Sequence, residues 1–287
     1  MVEPRSSTLA RTVTLTSVAM VAFAGNSLLC RLALGGRTID AASFTTIRLV
    51  SGAVVLWLIA RWRSRGAATT HGDWPSALAL FAYAAAFSFA YLSLTASTGA
   101  LLLFGAVQLT MIGFGLRRGE ALDRRQLAGL LLALGGLVGL LAPGLTAPPA
   151  GGAVLMIAAG VAWGVYSMRG QQLRRDPTSA TAGNFLRAVP FALALSLAAG
   201  VTRIDPIGAT YAVVSGALAS GIGYAVWYTA LPGLRAATAA TVQLSVPVLT
   251  ALAGLSLLDE PFTLRLVVAS ISILGGIALV TSSPRRA

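Results

Sequence analysis

The sequence predicts an all-α polytopic membrane protein: ten transmembrane helices, arranged as two inverted five-helix repeats around a central cavity. Three observations predict it. The 287-residue chain is 56% hydrophobic and only 10% charged, with a mean hydropathy of +0.80, whereas a soluble domain carries roughly a quarter charged residues. Apolar runs recur from end to end, each near the ~20 residues that cross ~30 Å of hydrocarbon as a helix. Two stretches far apart in the chain also echo each other, the signature of an internal repeat.

Polar breaks bound the ten spans in order. Span one, 9–34, is too long for a signal-peptide core and has no clear cleavage site, so it is expected to stay as a helix. Span two, 39–61, opens beside Asp40 and closes on Trp57, Arg61 and Trp62. The polar stretch "RSRGAATTHGDW" separates it from span three, 74–95, which begins at Trp74. Spans four, 98–116, and five, 125–142, flank the charged turn "RRGEALDRR". The linker "APGLTAPPAGG" at 142–152 leads into span six, 150–171. Spans seven to ten, 178–199, 207–231, 235–257 and 263–282, begin beside Asp176, Asp205, Arg235 and Glu260. Tryptophans at span ends suit the interfacial belt. No connection is long enough to hold a soluble domain.

All 21 basic residues are arginine, giving a formal charge of +12. They are dispersed among loops rather than gathered into a nucleic-acid patch. With a cytoplasmic N-terminus, the inner loops and tails hold Arg5, Arg11, Arg61, Arg63, Arg65, Arg117, Arg118, Arg124, Arg125, Arg169, Arg174, Arg175, Arg235, Arg285 and Arg286. The outer side holds Arg31, Arg37, Arg203 and Arg265. That asymmetry is the positive-inside rule. It places both termini in the cytoplasm, and the membrane expected is the inner one. The single cysteine, Cys30, can form no internal disulfide and reads as a small interior residue. The single histidine, His71, lies in a loop without Cys or His neighbours, so no zinc site and no cofactor are expected.

"GEALDRRQLAGLLLALGGLVGLL" near the middle is echoed near the end by "DEPFTLRLVVASISILGGIALV". Glu120 aligns with Glu260, and Gly135-Gly136 with Gly275-Gly276; "IR" at 47–48 meets "LR" at 186–187, and "VQL" at 107–109 meets "VQL" at 242–244. The halves are 1–147 and 148–287. Five spans is an odd number, so the second half enters the membrane upside down. Inverted repeats of this kind characterise secondary transporters, with the substrate near the midplane between them.

Arg48 and Arg187 are the two arginines inside spans, each nine residues from one membrane face. At ~1.5 Å per residue both sit ~14 Å deep. No carboxylate lies inside any span, since all nine acids fall in tails, loops or helix ends. Each arginine is left to backbone carbonyls, polar side chains, water or the anionic group of a ligand. A structural or gating role and contact with a substrate carboxylate both remain open.

The "E-x(14)-GG" ending of both halves, the "IR"/"LR" pair and ten spans in 287 residues resemble the drug/metabolite transporter superfamily, in particular its EamA-type duplicated members. The resemblance covers essentially the whole chain. The sequence also looks like the YddG-type exporters of that group, which export aromatic and other neutral amino acids. The resemblance implies a basket of ten helices around a cavity lined mainly by spans 1, 3, 4, 6, 8 and 9. One departure matters: Gln108 to Glu120 is 12 residues, whereas Gln243 to Glu260 is 17, and Pro247 has no counterpart in the first half.

Tyr83, Phe87 and Tyr91 recur at i, i+4, i+8 and share one helical face. Trp163 and Tyr166 lie in span six, and Tyr224, Trp227 and Tyr228 in span eight. Tyrosine and tryptophan normally collect at the interfaces, which Tyr83, Trp163 and Tyr224 do not. These three, with Tyr166 and Tyr91, are the aromatic candidates for lining a substrate path, core packing being the alternative. Asn26, Ser27, Ser88, Gln108, Asn184, Ser220 and Gln243 are the polar candidates, Asn26, Ser27, Gln108 and Gln243 foremost, because amide and hydroxyl groups in a bilayer need partners across helices or in a wet cavity.

These residues fit a small-molecule secondary transporter in a lipid bilayer, expected as a monomer, exporting aromatic and other neutral amino acids by alternating access and facilitated diffusion. An exporter of cationic drugs would call for an intramembrane carboxylate. Proton-coupled export of another small metabolite or drug, using loop-end acids, stays open. So does a channel, although neither carbonyl nor charge rings are evident. Enzyme chemistry is excluded by a lone loop histidine, which leaves no Ser-His pair and no H-E-x-x-H motif.

Overall fold

The computed structural model describes residues 5–63, 71–117, 119, 122–144, 146–171, 176–200, 203–231, 234 and 242–282. Glu3, Glu120, the opening 235–241 of the expected span nine, and Arg65, Arg118, Arg174, Arg175, Arg235, Arg285 and Arg286 lie outside them. Among the described residues ten apolar helices follow one another: α1 (Arg5–Gly35), α2 (Ala41–Arg63), α3 (Trp74–Ala90), α4 (Ala96–Arg117), α5 (Arg124–Leu141), α6 (Ala150–Gln171), α7 (Pro177–Ala199), α8 (Pro206–Ala230), α9 (Ser245–Leu257) and α10 (Leu264–Ser282). Eight are long and apolar enough to cross a membrane; α3 and α9 are shorter apolar helices. The chain is a multi-pass membrane protein. Leu131, Val138, Leu197, Leu252 and Ile271 project from the outer surface. Helices apolar on every side suit a lipid surround.

The acids that the spans exclude begin the helices instead. Asp40 accepts from the Ser43 amide at 2.8 Å, Asp73 from Ser76 at 2.8 Å, Asp123 from Gln126 at 2.8 Å and Asp176 from Thr178 at 3.1 Å. Each satisfies an N–H that has no partner within its own helix. Helix α4 is capped from a distance. Glu260, in the α9–α10 connection, accepts from the amides of Ala96 at 2.6 Å and Ser97 at 3.3 Å and from the Ser97 hydroxyl at 3.2 Å. Arg31 Nε stands 3.6 Å from the same carboxylate.

Two spans differ from expectation in physically legible ways. Span three winds as a helix only to Ala90, because Leu92 and Ser93 bond carbonyls three residues back and the chain turns. Span eight is helical throughout but widens into a π-helix over Ser215–Ile222, a run of small residues that includes Gly216 and Gly221. Gly216 allows α8 to touch the Arg48 carbonyl of α2. In α9, Pro247 supplies no N–H for the carbonyl four residues earlier, so the regular helix starts at Ser245 and Pro247 sits in its first turn.

Helix α5 packs on α10, α2 on α7, and α4 on α9. Helix α3 packs on α6 as α8 does on α1; α4 on α6 as α9 on α1; α3 on α7 as α8 on α2. The α5–α10 contact is backbone-close: a Cβ on Gly129 would stand 2.6 Å from the Gly276 carbonyl, and one on Gly136 2.7 Å from Ser272 Cβ. Of each "GG" pair only Gly136 and Gly276 pack; Gly135 and Gly275 face open space. The connections α1–α2 and α7–α8 meet through an antiparallel bridge between Ile39 and Ile204. The Asp40 amide donates there to the Arg203 carbonyl at 3.0 Å, and the Asp205 amide to that of Thr38 at 2.8 Å.

Candidate functional site

Arg48 is the largest fully buried side chain, 1% exposed. Helix α2 carries it against α3 and α8. Its Nε donates to Ser220 Oγ at 3.2 Å and its Nη2 to Tyr83 Oη at 3.0 Å. The guanidinium also lies over the rings of Tyr83 and Phe87, 5.2 and 5.0 Å from their centroids, within cation–π range. Nη1 is buried with no hydrogen-bond partner among the described residues. The π-helical turn of α8 contributes a second link: Ser215 Oγ donates to Asn26 Oδ1 at 2.6 Å, and Asn26 Nδ2 to Tyr83 Oη at 3.5 Å. One polar chain thereby ties α1, α2, α3 and α8 together within the apolar bundle.

Around this chain stand aromatic rings. Trp163 of α6 lies 4.8 Å from Tyr83 and 5.0 Å from Tyr224, centroid to centroid, with Tyr166 behind it at 5.5 Å. Phe23 meets the edge of Tyr224 at 5.7 Å. Tilted and edge-on pairs at these separations are the favoured aromatic geometries. Asn26, Ser27, Tyr83, Trp163 and Tyr224 line a cavity, which Phe23, Phe87, Leu103, Phe104 and Ala219 complete. It is narrow, ≈ 20 Å³, about the space that one water requires.

The other candidates lie elsewhere. Tyr166 is buried behind Trp163, where it accepts from Asn184 Nδ2 at 3.5 Å. Tyr91 packs on Phe87 at 4.8 Å, and its hydroxyl donates to the Ala96 carbonyl at 3.3 Å, toward the Glu260 end of the bundle. Gln108 is buried in α4 and Gln243 half-buried before α9, neither on the cavity wall. Arg187 does not share the surroundings of Arg48. It is half-buried, and its Nη1 donates to the Gly183 carbonyl of its own helix at 3.0 Å. The difference follows from the neighbours. Gly183 has no side chain, and the 71–73 segment covers it, with Asp73 N donating to Asn184 Oδ1 at 3.1 Å. Arg48 has a phenol and a serine in reach.

Phe23, Leu103, Phe104 and Ala219 were not among the sequence candidates. An apolar residue on a helix that is apolar all round gives no sign of which face it occupies. The serine pair of α8 did carry a signal, two hydroxyls within "SGALASG".

Comparison with known proteins agrees with this architecture. The profile of the EamA-like transporter family matches residues 150–282. An uncharacterized protein of Pseudomonas aeruginosa is 58% identical over 271 residues, 94% of each chain. An uncharacterized transporter of Archaeoglobus fulgidus is 28% identical over 286 residues, 95% of this chain and 98% of its own. A crystal structure at 20% identity superposes with a TM-score of 0.67 over 93% of this chain and 97% of the other, a likeness of fold. With ten apolar helices and these relatives, the chain belongs to the EamA-like transporter family of the drug/metabolite transporter superfamily, and is a membrane transporter rather than an enzyme.

Proposed function

We propose that this transporter exports aromatic and other neutral amino acids by alternating access and facilitated diffusion, with Trp163, Tyr83 and Tyr224 as the walls of the solute site. The cavity that these three rings share carries the proposal. It combines aromatic faces for a flat side chain with Asn26, Ser27 and the Tyr83 hydroxyl for the polar end, and no acid lines it. At ≈ 20 Å³ the rings are in contact across the site, so an amino acid enters as the walls part.

Alternating access rests on two inverted halves, 1–147 and 148–287. The helix pairings support this division, because exchanging each helix with the one five places along carries the main contacts onto one another. The family match over 150–282 also spans one five-helix unit. Both termini are assigned to the cytoplasm and the chain to the inner membrane, as a monomer. Two rigid units rocking about a midplane site give each side access in turn.

Counterflow in liposomes tests the function. Vesicles loaded with unlabelled phenylalanine should take up labelled phenylalanine transiently and saturably, with tryptophan and leucine competing. Uptake that never saturates indicates a channel. Uptake that requires an imposed proton gradient indicates a coupled exporter.

A further inference from the structure

We infer that the polar end of the cavity is a carboxylate site, in which the Tyr83 hydroxyl donates to the solute's anionic group and Arg48 positions and polarises that donor. This rests on the cavity being the solute site and adds which end of the solute lies where.

The direction of the hydrogen bonds carries the inference. Ser215 Oγ donates to Asn26 Oδ1 at 2.6 Å, which leaves Asn26 Nδ2, a donor, facing Tyr83 Oη at 3.5 Å. Arg48 Nη2 donates to the same oxygen at 3.0 Å. A phenol oxygen has one proton and room to accept twice. Two N–H groups take the accepting positions, so Tyr83 can only donate. The chain that begins at Ser215 and Arg48 therefore ends in the Tyr83 O–H, offered to the cavity that Tyr83 lines. An ammonium group finds no accepting position left on Tyr83, whereas a carboxylate oxygen finds a donor there.

Charge favours the same occupant. Arg48 is 1% exposed and no carboxylate stands within ion-pair distance of it among the described residues. Its Nη1 has no hydrogen-bond partner there. A buried cation bonded only to neutral hydroxyls makes the nearby cavity attractive to an anion. Hydrogen bonds in a chain also polarise one another, so a guanidinium behind the phenol makes its proton a stronger donor. Ser220, through Arg48 Nε at 3.2 Å, fixes the guanidinium at this place. The cavity should therefore select acids over their amides, with the apolar part of the solute against Trp163 and Phe104.

The test is competition in the liposome assay with the full chain. Phenylalanine is set against phenylalaninamide, and 3-phenylpropionate against its amide. The acids should compete better by about 10- to 100-fold, the range for a hydrogen bond to a charged group. Tyr83→Phe keeps the ring and removes the donor, and should bring acid and amide toward parity. Ser220→Ala releases Arg48 without altering the lining phenols, and should raise KM for acids more than for amides. Wild-type protein that carries amino acids but treats acids and amides alike overturns the inference and leaves the proposed function standing. Wild-type protein that ignores amino acids yet prefers phenylpropionate to its amide does the reverse. A folded Tyr83→Phe protein with its acid preference intact also overturns the inference. If Tyr83→Phe fails to fold, the wild-type competition decides.

Discussion

Glu260 offers a perturbation whose size can be worked from the structure. Its carboxylate is 7% exposed and holds the first two amides of α4, on Ala96 and Ser97, which are 0% and 4% exposed. Glu260→Ala removes the acceptor and leaves both buried N–H groups without it. Each orphaned group costs roughly 1–2 kcal/mol, for a total of about 2–4 kcal/mol. Arg31 adds little, being 3.6 Å away with a side chain 28% exposed. For a chain of this size that loss lowers the melting temperature by roughly 5–15 °C. Glu260→Gln keeps one carbonyl oxygen for Ala96 but turns an NH₂ toward Ser97, so about half the loss is expected. The assay is the fraction of detergent-extracted protein still monodisperse after heating, read by size-exclusion fluorescence. Equal melting of Glu260→Ala and wild type would refute the assignment of this residue as the cap of α4.

Four further outcomes follow from the geometry. Single cysteines at Arg63 and Ala147, introduced after removing Cys30, should label from opposite membrane faces; labelling from one face would end the inverted-repeat proposal. Trp163→Ala should cut transport per folded molecule, because it removes a ring shared by Tyr83 and Tyr224; lost thermal stability with unchanged specific transport would make Trp163 a packing residue. Arg48→Gln should lower yield and thermal stability clearly more than Arg187→Gln, since among the described residues Arg48 bonds two other helices and Arg187 only its own; equal losses would contradict that contrast. At Asp73 burial raises the carboxyl pKa, but the Ser76 amide and hydroxyl and Arg169 outweigh it, and the net shift is downward. Its stabilising contribution is therefore full above the ordinary carboxylate range and lost as pH falls through the lower folded value. Thermal melts below about pH 4 should decline less steeply in Asp73→Asn than in wild type, and parallel decline would refute the assignment.

The sequence made the helices legible because a bilayer sets their length: 150–171 and 125–142 were expected, and Ala150–Gln171 and Arg124–Leu141 are found. It also indicated where the acids belong, though not that they would serve as caps. Glu260 reaching the start of α4 is a contact 164 residues long in sequence, and no local pattern encodes it. Tyr83, Trp163 and Tyr224 stood out because polar aromatics at mid-span depart from the interfacial habit. Phe23 and Phe104 did not, since phenylalanine is ordinary anywhere in a membrane helix. The equivalence expected of Arg48 and Arg187 followed from the repeat alignment and from depth. Depth does not determine neighbours, and the two guanidiniums meet a phenol in one half and a bare glycine carbonyl in the other.

The π-helical turn in α8 has a mechanical consequence. Bonds that skip five residues instead of four wind Ser215–Ile222 more loosely than the segments on either side. The number of residues per turn there fixes the angular phase of everything that follows, including Tyr224 and Trp227. Tightening that stretch to ordinary winding would turn the lower half of the helix about its own axis like a screw. Ser215 and Ser220 would leave Asn26 and Arg48 in the same motion that swung Tyr224 away from Trp163. The grip on the guanidinium and the azimuth of the aromatic wall are thus set by one torsional variable, held in eight residues at the middle of a single helix.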